Sequence, residues 1–230
     1  VVLEDVHHEY RDLRAEETEI FSVFRQLKEE DPAFRIPFVY SQISGLNQSI
    51  LVGDSLLGIS LDKYMGKDYS LYQRYYHDYQ REVMERSRLV PDALFYYLSH
   101  EYPLPKGEVH TLLDYIARFG KLHWIIARLR NVSLEHEVGF DAHRVQWFRE
   151  HEAAVWEWLN AQGALTSADM TMIRLFIFPR DTIPCIGEDC PDRIGLWLGM
   201  QIMEHYMKRH PETTIGELLR ENDYEKILRE

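Results

Sequence analysis

The sequence predicts an α+β protein that is predominantly α: a helical domain with one small β-sheet near residues 35–61. Three observations carry that prediction. Apolar residues recur at alternating steps of three and four over residues 4–30, the spacing of an amphipathic helix face, and helical candidates dominate the chain after Gly66. One stretch, residues 35–61, is instead rich in β-branched residues and cut by glycine and asparagine, as short strands are. The composition, 45% hydrophobic and 28% charged, is that of a chain with a buried core, and at this length roughly 70–75% of the unfolded surface can be buried.

Taken in order, Val6, Tyr10, Leu13, Ile20, Phe24 and Leu27 form a stripe that predicts one helix over residues 4–30, with Glu17 filling its single gap. Asp31-Pro32 ends it, because a residue before proline is pushed out of helical geometry. Arg35 to Ser44 and Ser49 to Leu61, punctuated by Gly45, Asn47, Gly53 and Gly58, predict the small sheet. The body from residue 69 onward is predicted helical. Candidate helices run from Tyr69 to Met84, from Pro91 to Tyr102, from Glu108 to Leu129, from Asp141 to Asn160, and from near Asp192 to just before Pro211. Pro91 suits a helix first turn, and Thr214 and Asp223 have the chemistry of N-caps for two short terminal helices. Residues 178–192, with Pro179, Pro184, Gly187 and Pro191, read as a long ordered loop. With no repeat, low-complexity tract or linker, the chain is expected to form a single domain over 1–230: an acidic N-terminal helix (1–31), the sheet (34–61) and the helical body (69–230).

The formal net charge is −12, and residues 1–31 hold ten acids against four bases. No run of Lys and Arg supplies the basic face that nucleic acid requires, and anionic membrane surfaces are disfavoured for the same reason. No apolar run reaches the roughly 18–20 residues of a membrane span. Val1 is not an initiator methionine, so an upstream export signal or anchor lies beyond what the sequence tests. The acidic segment is either a solvated helix face or a docking surface for a basic partner. Fourteen tyrosines and five tryptophans predict a core whose hydroxyl and indole groups need partners where they are buried.

Eleven histidines invite a metalloprotease reading, which needs His-Glu-x-x-His so that both imidazoles share one helix face. After His8-Glu9, His100-Glu101, His136-Glu137 and His151-Glu152 the required position holds Asp12, Leu104, Phe140 and Val155. The inverted order comes nearest at Glu204-His205, with Gln201 where histidine is needed. Gly66-Lys67 is followed by Asp68, and Gly53 to Gly58 is one residue too long for a nucleophile elbow. Cys185 and Cys190 are separated by four residues, unlike a Cys-x-x-Cys knuckle. No metal or other cofactor is therefore expected.

The polar residues that stand out occupy positions where apolar ones belong. Glu152 lies on the stripe of Val145, Phe148, Val155 and Leu159, and Gln201 lies one turn beyond Trp197 and Leu198. Such residues are expected to be buried polar groups that fix helix packing, with a functional site as the alternative. Glu152 is expected to pair with Arg193 or Lys121, since an unpaired buried carboxylate is costly.

Two longer segments resemble a known family. They are Asp54-Ser-Leu-Leu-Gly-Ile-Ser-Leu-Asp-Lys-Tyr-Met-Gly-Lys-Asp-Tyr-Ser-Leu-Tyr72 and Arg193-Ile-Gly-Leu-Trp-Leu-Gly-Met-Gln-Ile-Met-Glu-His-Tyr-Met207. Both resemble the gliding-motility lipoprotein GldB family of the Bacteroidetes. Tyr40-Ser-Gln42, Gly120-Lys121, Glu152 with Trp156, and Leu218-Leu219, Asp223 and Ile227-Leu228 fit the same pattern in the same order, from about residue 34 to the end. The acidic N-terminal helix falls outside that match. The resemblance implies an exported lipoprotein, held at a membrane by a lipidated cysteine upstream of Val1 and facing the periplasm, with no established enzymatic activity. The family is also distantly similar to predicted zinc proteases whose His-Glu-x-x-His it lacks. An oxidising periplasm would permit a Cys185–Cys190 disulfide.

The expectation is thus a non-enzymatic envelope lipoprotein domain that acts by binding other envelope proteins. The alternative is a hydrolase or zinc-protease-like relative with a degenerate or unrecognised site.

Overall fold

The long helices and the sheet form in the regions the sequence indicates, but several elements are broken, added or end elsewhere. In the computed structural model, residues 2–180, 183 and 190–229 are described. They fall into two compact units, one taking the chain up to Pro103 together with Arg128–Asn131, the other Leu104–Ala127 and Val132 onward.

The first unit begins with α1 (Val2–Glu9) and α2 (Arg14–Glu30), so the single N-terminal helix read from the stripe is broken. The Asp12 carboxylate accepts from the Arg14 backbone N–H at 3.0 Å, a local bond that competes with continued helix. Tyr10 meanwhile sends its hydroxyl to the Tyr64 carbonyl. α2 stops where Asp31, extended before Pro32, was expected to stop it. The sheet follows: β1 (Phe38–Gln42), β2 (Ile50–Gly53) and β3 (Leu56–Ser60), in the order β1-β3-β2. β2 and β3 form an antiparallel hairpin with Gly53 opposite Leu56, and β1 lies parallel to β3 with Phe38 opposite Leu56. The loop between β1 and β2 is clamped by buried Asp62, whose carboxylate accepts the N–H groups of Ser44 at 2.9 Å and Leu46 at 2.6 Å.

The helix expected over Tyr69–Met84 is instead two single turns, α3 (Tyr72–Tyr75) and α4 (Asp78–Arg81). Tyrosine hydroxyls account for the break. Tyr72 donates to the Asp62 carbonyl and Tyr76 to the Leu46 carbonyl, which pins each ring to a loop rather than to one continuous helix face. His77 then turns extended and caps α4. α5 (Leu89–Glu101) carries Pro91 in its first turn, as expected. Its Tyr97 meets Phe24 and Phe34 at centroid distances of 5.6 and 5.9 Å and closes an aromatic core.

The second unit is all helix among its described residues. α6 (Leu112–Arg130) starts later than Glu108 because Thr111 and Asp114 bond each other's backbone N–H groups, a reciprocal cap. α7 (Leu134–Val138) and α9 (Met170–Ile177) were not anticipated, whereas α8 (Ala142–Ala161) starts at its Asp141 cap. α10 (Ile194–Arg209) crosses α6 where Gly120 meets Gly199; a Cβ on Gly120 would stand 2.1 Å from the Gly199 carbonyl carbon. Thr214 and Asp223 cap α11 (Ile215–Arg220) and α12 (Tyr224–Arg229), as the sequence indicated.

Candidate functional site

The two polar residues that interrupt apolar stripes line one cavity in the second unit. Glu152 and Trp156 are one turn apart on α8, Gln201 and His205 one turn apart on α10, and all four line an open cavity of about 280 Å³. Side chains four residues apart share one helix face, so each helix contributes a short ladder to the same groove. Ile227 and Leu228 of α12 complete part of its wall. The family-like segments therefore converge here from three separate helices.

Glu152 does not pair with either expected cation. It is half-buried, and its Oε2 accepts from the indole N–H of buried Trp197 at 2.9 Å. A tryptophan drawn into a core needs an acceptor, and this one sits within reach on α10. α10 makes a second bond of the same kind, Trp124 Nε1 donating to Glu204 at 2.8 Å. Gln201, also half-buried, has no side-chain hydrogen bond among the described residues and faces the groove.

Lys121 and Arg193 have other tasks. Lys121, on α6, is buried and donates its Nζ protons to the carbonyls of Leu219 and Glu221. These lie at the C-terminal end of α11, where carbonyls lack helical partners and the helix dipole favours a cation. Burial, helped by the Arg118 charge, pushes the Lys121 ammonium down to about 7, against a smaller opposing pull from Glu221. Arg193 opens α10 in left-handed geometry (φ 57°). Its buried guanidinium reaches Asp192 at 3.3 Å and the Val138 carbonyl at 3.0 Å, and lies 4.9 Å from the Phe140 ring centre. Arg144 approaches the same Asp192 at 3.2 Å. These cations tie helices together and do not line the groove. Cys190 is buried, while Cys185 lies outside the described residues, and the expected disulfide with it.

The groove holds a carboxylate bound to an indole, an open amide, the Arg209 guanidinium, the Tyr206 ring and an imidazole whose Nδ1 meets the Gln201 carbonyl at 2.8 Å. No serine, threonine or cysteine lines it. Among the described residues no group of three or more His, Cys, Asp and Glu is placed to hold a metal ion. No described helix is long and apolar enough to cross a membrane. The arrangement suits recognition of polar groups beside an aromatic wall.

A second surface, in the first unit, was not read from the sequence. Alternation along the strands turns Phe38, Tyr40, Leu51, Leu56 and Gly58 to one face of the sheet. The opposite face buries Leu57 and Ile59 in the core. On the outer face Phe38 is 69% exposed, Leu56 46% and Leu51 40%. Tyr40 lies across Gly58, where a Cβ would come within 2.7 Å of its ring, and Phe38 stacks on Tyr40 at 6.5 Å. The signal was present in the register of Phe38 and Tyr40 with Leu56 and Gly58, but register is a tertiary fact.

A family model described as gliding motility protein GldB matches residues 1–230. The match takes in the acidic N-terminal segment, beyond the motifs from residue 34 onward that carry the resemblance. No curated protein and no solved structure matches the chain.

Proposed function

The chain belongs to the gliding motility protein GldB family, a lipoprotein family, and from that premise we propose that it works by binding another envelope protein rather than by catalysing a reaction. The exposed apolar face of the sheet carries the reading. Contiguous apolar patches on a folded surface mark interaction sites more often than scattered ones do. Folded proteins commonly blunt a bare sheet edge with lysine or proline, and β1, Phe-Val-Tyr-Ser-Gln, has neither. A lipid anchor upstream of the chain would hold this surface close to a membrane, facing the periplasm, where partners are also confined.

The test is a photo-crosslinking side chain placed at position 38 in cells, with position 157, on α8, as the control. A discrete adduct with one envelope protein is expected from position 38 and not from position 157. No adduct from position 38, or the same adducts from both, overturns the reading.

One observation favours a hydrolytic relative instead: Glu152 and His205 line the same cavity. Turnover of peptide or ester substrates by the purified chain, lost in a folded Glu152→Gln variant, would establish that alternative.

A further inference from the structure

β1 is an edge strand whose free side opens on an acidic groove. Its Phe38 N–H bonds the Ser55 carbonyl at 2.9 Å, so in a parallel ladder Phe38, Tyr40 and Gln42 direct their backbone groups to β3. Val39 and Ser41 direct theirs outward, and among the described residues those groups have no backbone or side-chain partner. Val39 and Ser41 line a cavity of about 90 Å³ whose other wall is α2, with Glu16, Glu17 and Ile20. Glu17 is the residue that fills the gap in the apolar stripe of α2; it is exposed and has no ion pair among the described residues. Glu16 gives one oxygen to Arg86 at 2.6 Å, while its Oε2 is buried with no hydrogen bond among the described residues.

We propose that this edge receives an extended segment of a partner protein, rich in alternating apolar and basic residues, which adds to the sheet beside β1. The outward N–H and C=O groups of Val39 and Ser41 supply the main-chain bonds of strand addition. Ile20 and Ile59 give the groove an apolar lining, and Glu16 and Glu17 select a Lys or Arg over an acid. A second copy of this chain is the wrong occupant, because a net charge of −12 and an acidic wall repel it. The inference rests on the protein-binding reading and names the chemistry of the partner.

The test uses the whole chain and a synthetic Val-Lys alternating peptide of about eight residues, strand length, with a Val-Glu peptide as control. The Val-Lys peptide is expected to slow hydrogen exchange at the Val39 and Ser41 amides. The Val-Glu peptide should bind about tenfold more weakly or worse. Ser41→Pro removes only an outward donor, which an edge strand tolerates, and Glu17→Lys reverses an exposed charge. Each should weaken the Val-Lys peptide about tenfold or more without shifting the unfolding midpoint; should Ser41→Pro unfold the chain, Glu17→Lys decides. No protection at Val39 and Ser41, or equal protection by both peptides, overturns the inference. So does protection that rises with protein concentration alone, which would assign the edge to a second copy. If these fail while the position-38 adduct still forms, protein binding stands and only the edge is lost. Peptide protection without any such adduct removes the wider reading instead.

Discussion

The two units satisfy their buried polar groups by different means. In the first, tyrosine hydroxyls reach across to loop carbonyls: Tyr10 to Tyr64, Tyr72 to Asp62, Tyr76 to Leu46 and Tyr97 to Arg35. In the second, helices approach until backbone meets backbone at Gly120 and Gly199, and buried cations hold helix ends. Hydroxyl anchors tolerate short and irregular elements, because each bond is made by a side chain that reaches. Glycine contacts demand long, straight helices in one register. The unit with irregular elements also keeps a sheet with one bare face, which is where we propose that a partner binds.

The comparison breaks most sharply at its glycines. Gly199→Ala puts a Cβ 2.0 Å from the Ile116 carbonyl oxygen, and backbone cannot swing aside. The expected loss exceeds about 4 kcal/mol, enough that urea unfolding should show the second unit failing to hold. Gly58→Ala in the first unit meets only the ring end of Tyr40 at 2.7 Å, which can rotate away. About 1–2 kcal/mol is expected there. Equal losses at the two positions would erase the distinction.

Lys121 sharpens the comparison through pH. Its folded value lies near 7, below the ordinary 10.5. Below about 7 the lysine is charged in both states and adds no slope. From there to its unfolded value the unfolded chain keeps a proton that the folded chain has released, so stability rises with pH, by at most about 1.4 kcal/mol per pH unit. Lys121→Met should flatten that rise, read as the difference between the two unfolding-versus-pH curves. Parallel curves would show that the folded lysine keeps its proton throughout.

A smaller effect is expected from the first unit's hydroxyls. Tyr72→Phe deletes the bond to the Asp62 carbonyl and the acceptor for the Met65 N–H while keeping the ring in its T-shaped contacts with Tyr69 and Tyr76. About 1–2 kcal/mol should be lost. A neutral outcome in urea unfolding would mean that ring packing alone holds these turns.

What could be read from the sequence divides along the same line. Caps at Thr214 and Asp223, the helix start near Asp141, the stop at Asp31-Pro32 and the strand region are local chemistry, and they stand where expected. The break at residues 76–77 is invisible in the sequence, because the tyrosine bonds that cause it run to Asp62 and Leu46. The break at 10–13 is local, with Asp12 accepting from the Arg14 N–H, but the apolar stripe running across it masks it. Glu152 and Gln201 were legible as polar residues on apolar stripes; that they line one cavity was not. The partner of Glu152 was not legible. A carboxylate on an apolar stripe points to a cation, whereas the helix crossing delivers an indole.

That choice of partner sets the smallest prediction. Had Glu152 been half of a buried ion pair, removing it would cost about 3–5 kcal/mol. Its carboxylate is instead half-buried and accepts one neutral N–H at 2.9 Å. Glu152→Gln keeps an oxygen at the same place and can turn its amide so that the oxygen faces Trp197. The loss should stay near about 0.5 kcal/mol, within the range of a single altered hydrogen bond. Glu152→Ala leaves the indole N–H of Trp197, a 3% exposed residue, without that acceptor and should cost about 1–3 kcal/mol. Urea midpoints of the two variants give the ratio directly. If Gln costs as much as Ala, charge rather than shape matters at position 152, and the groove of the second unit then becomes a rival to the sheet edge as the place where this protein meets its partner.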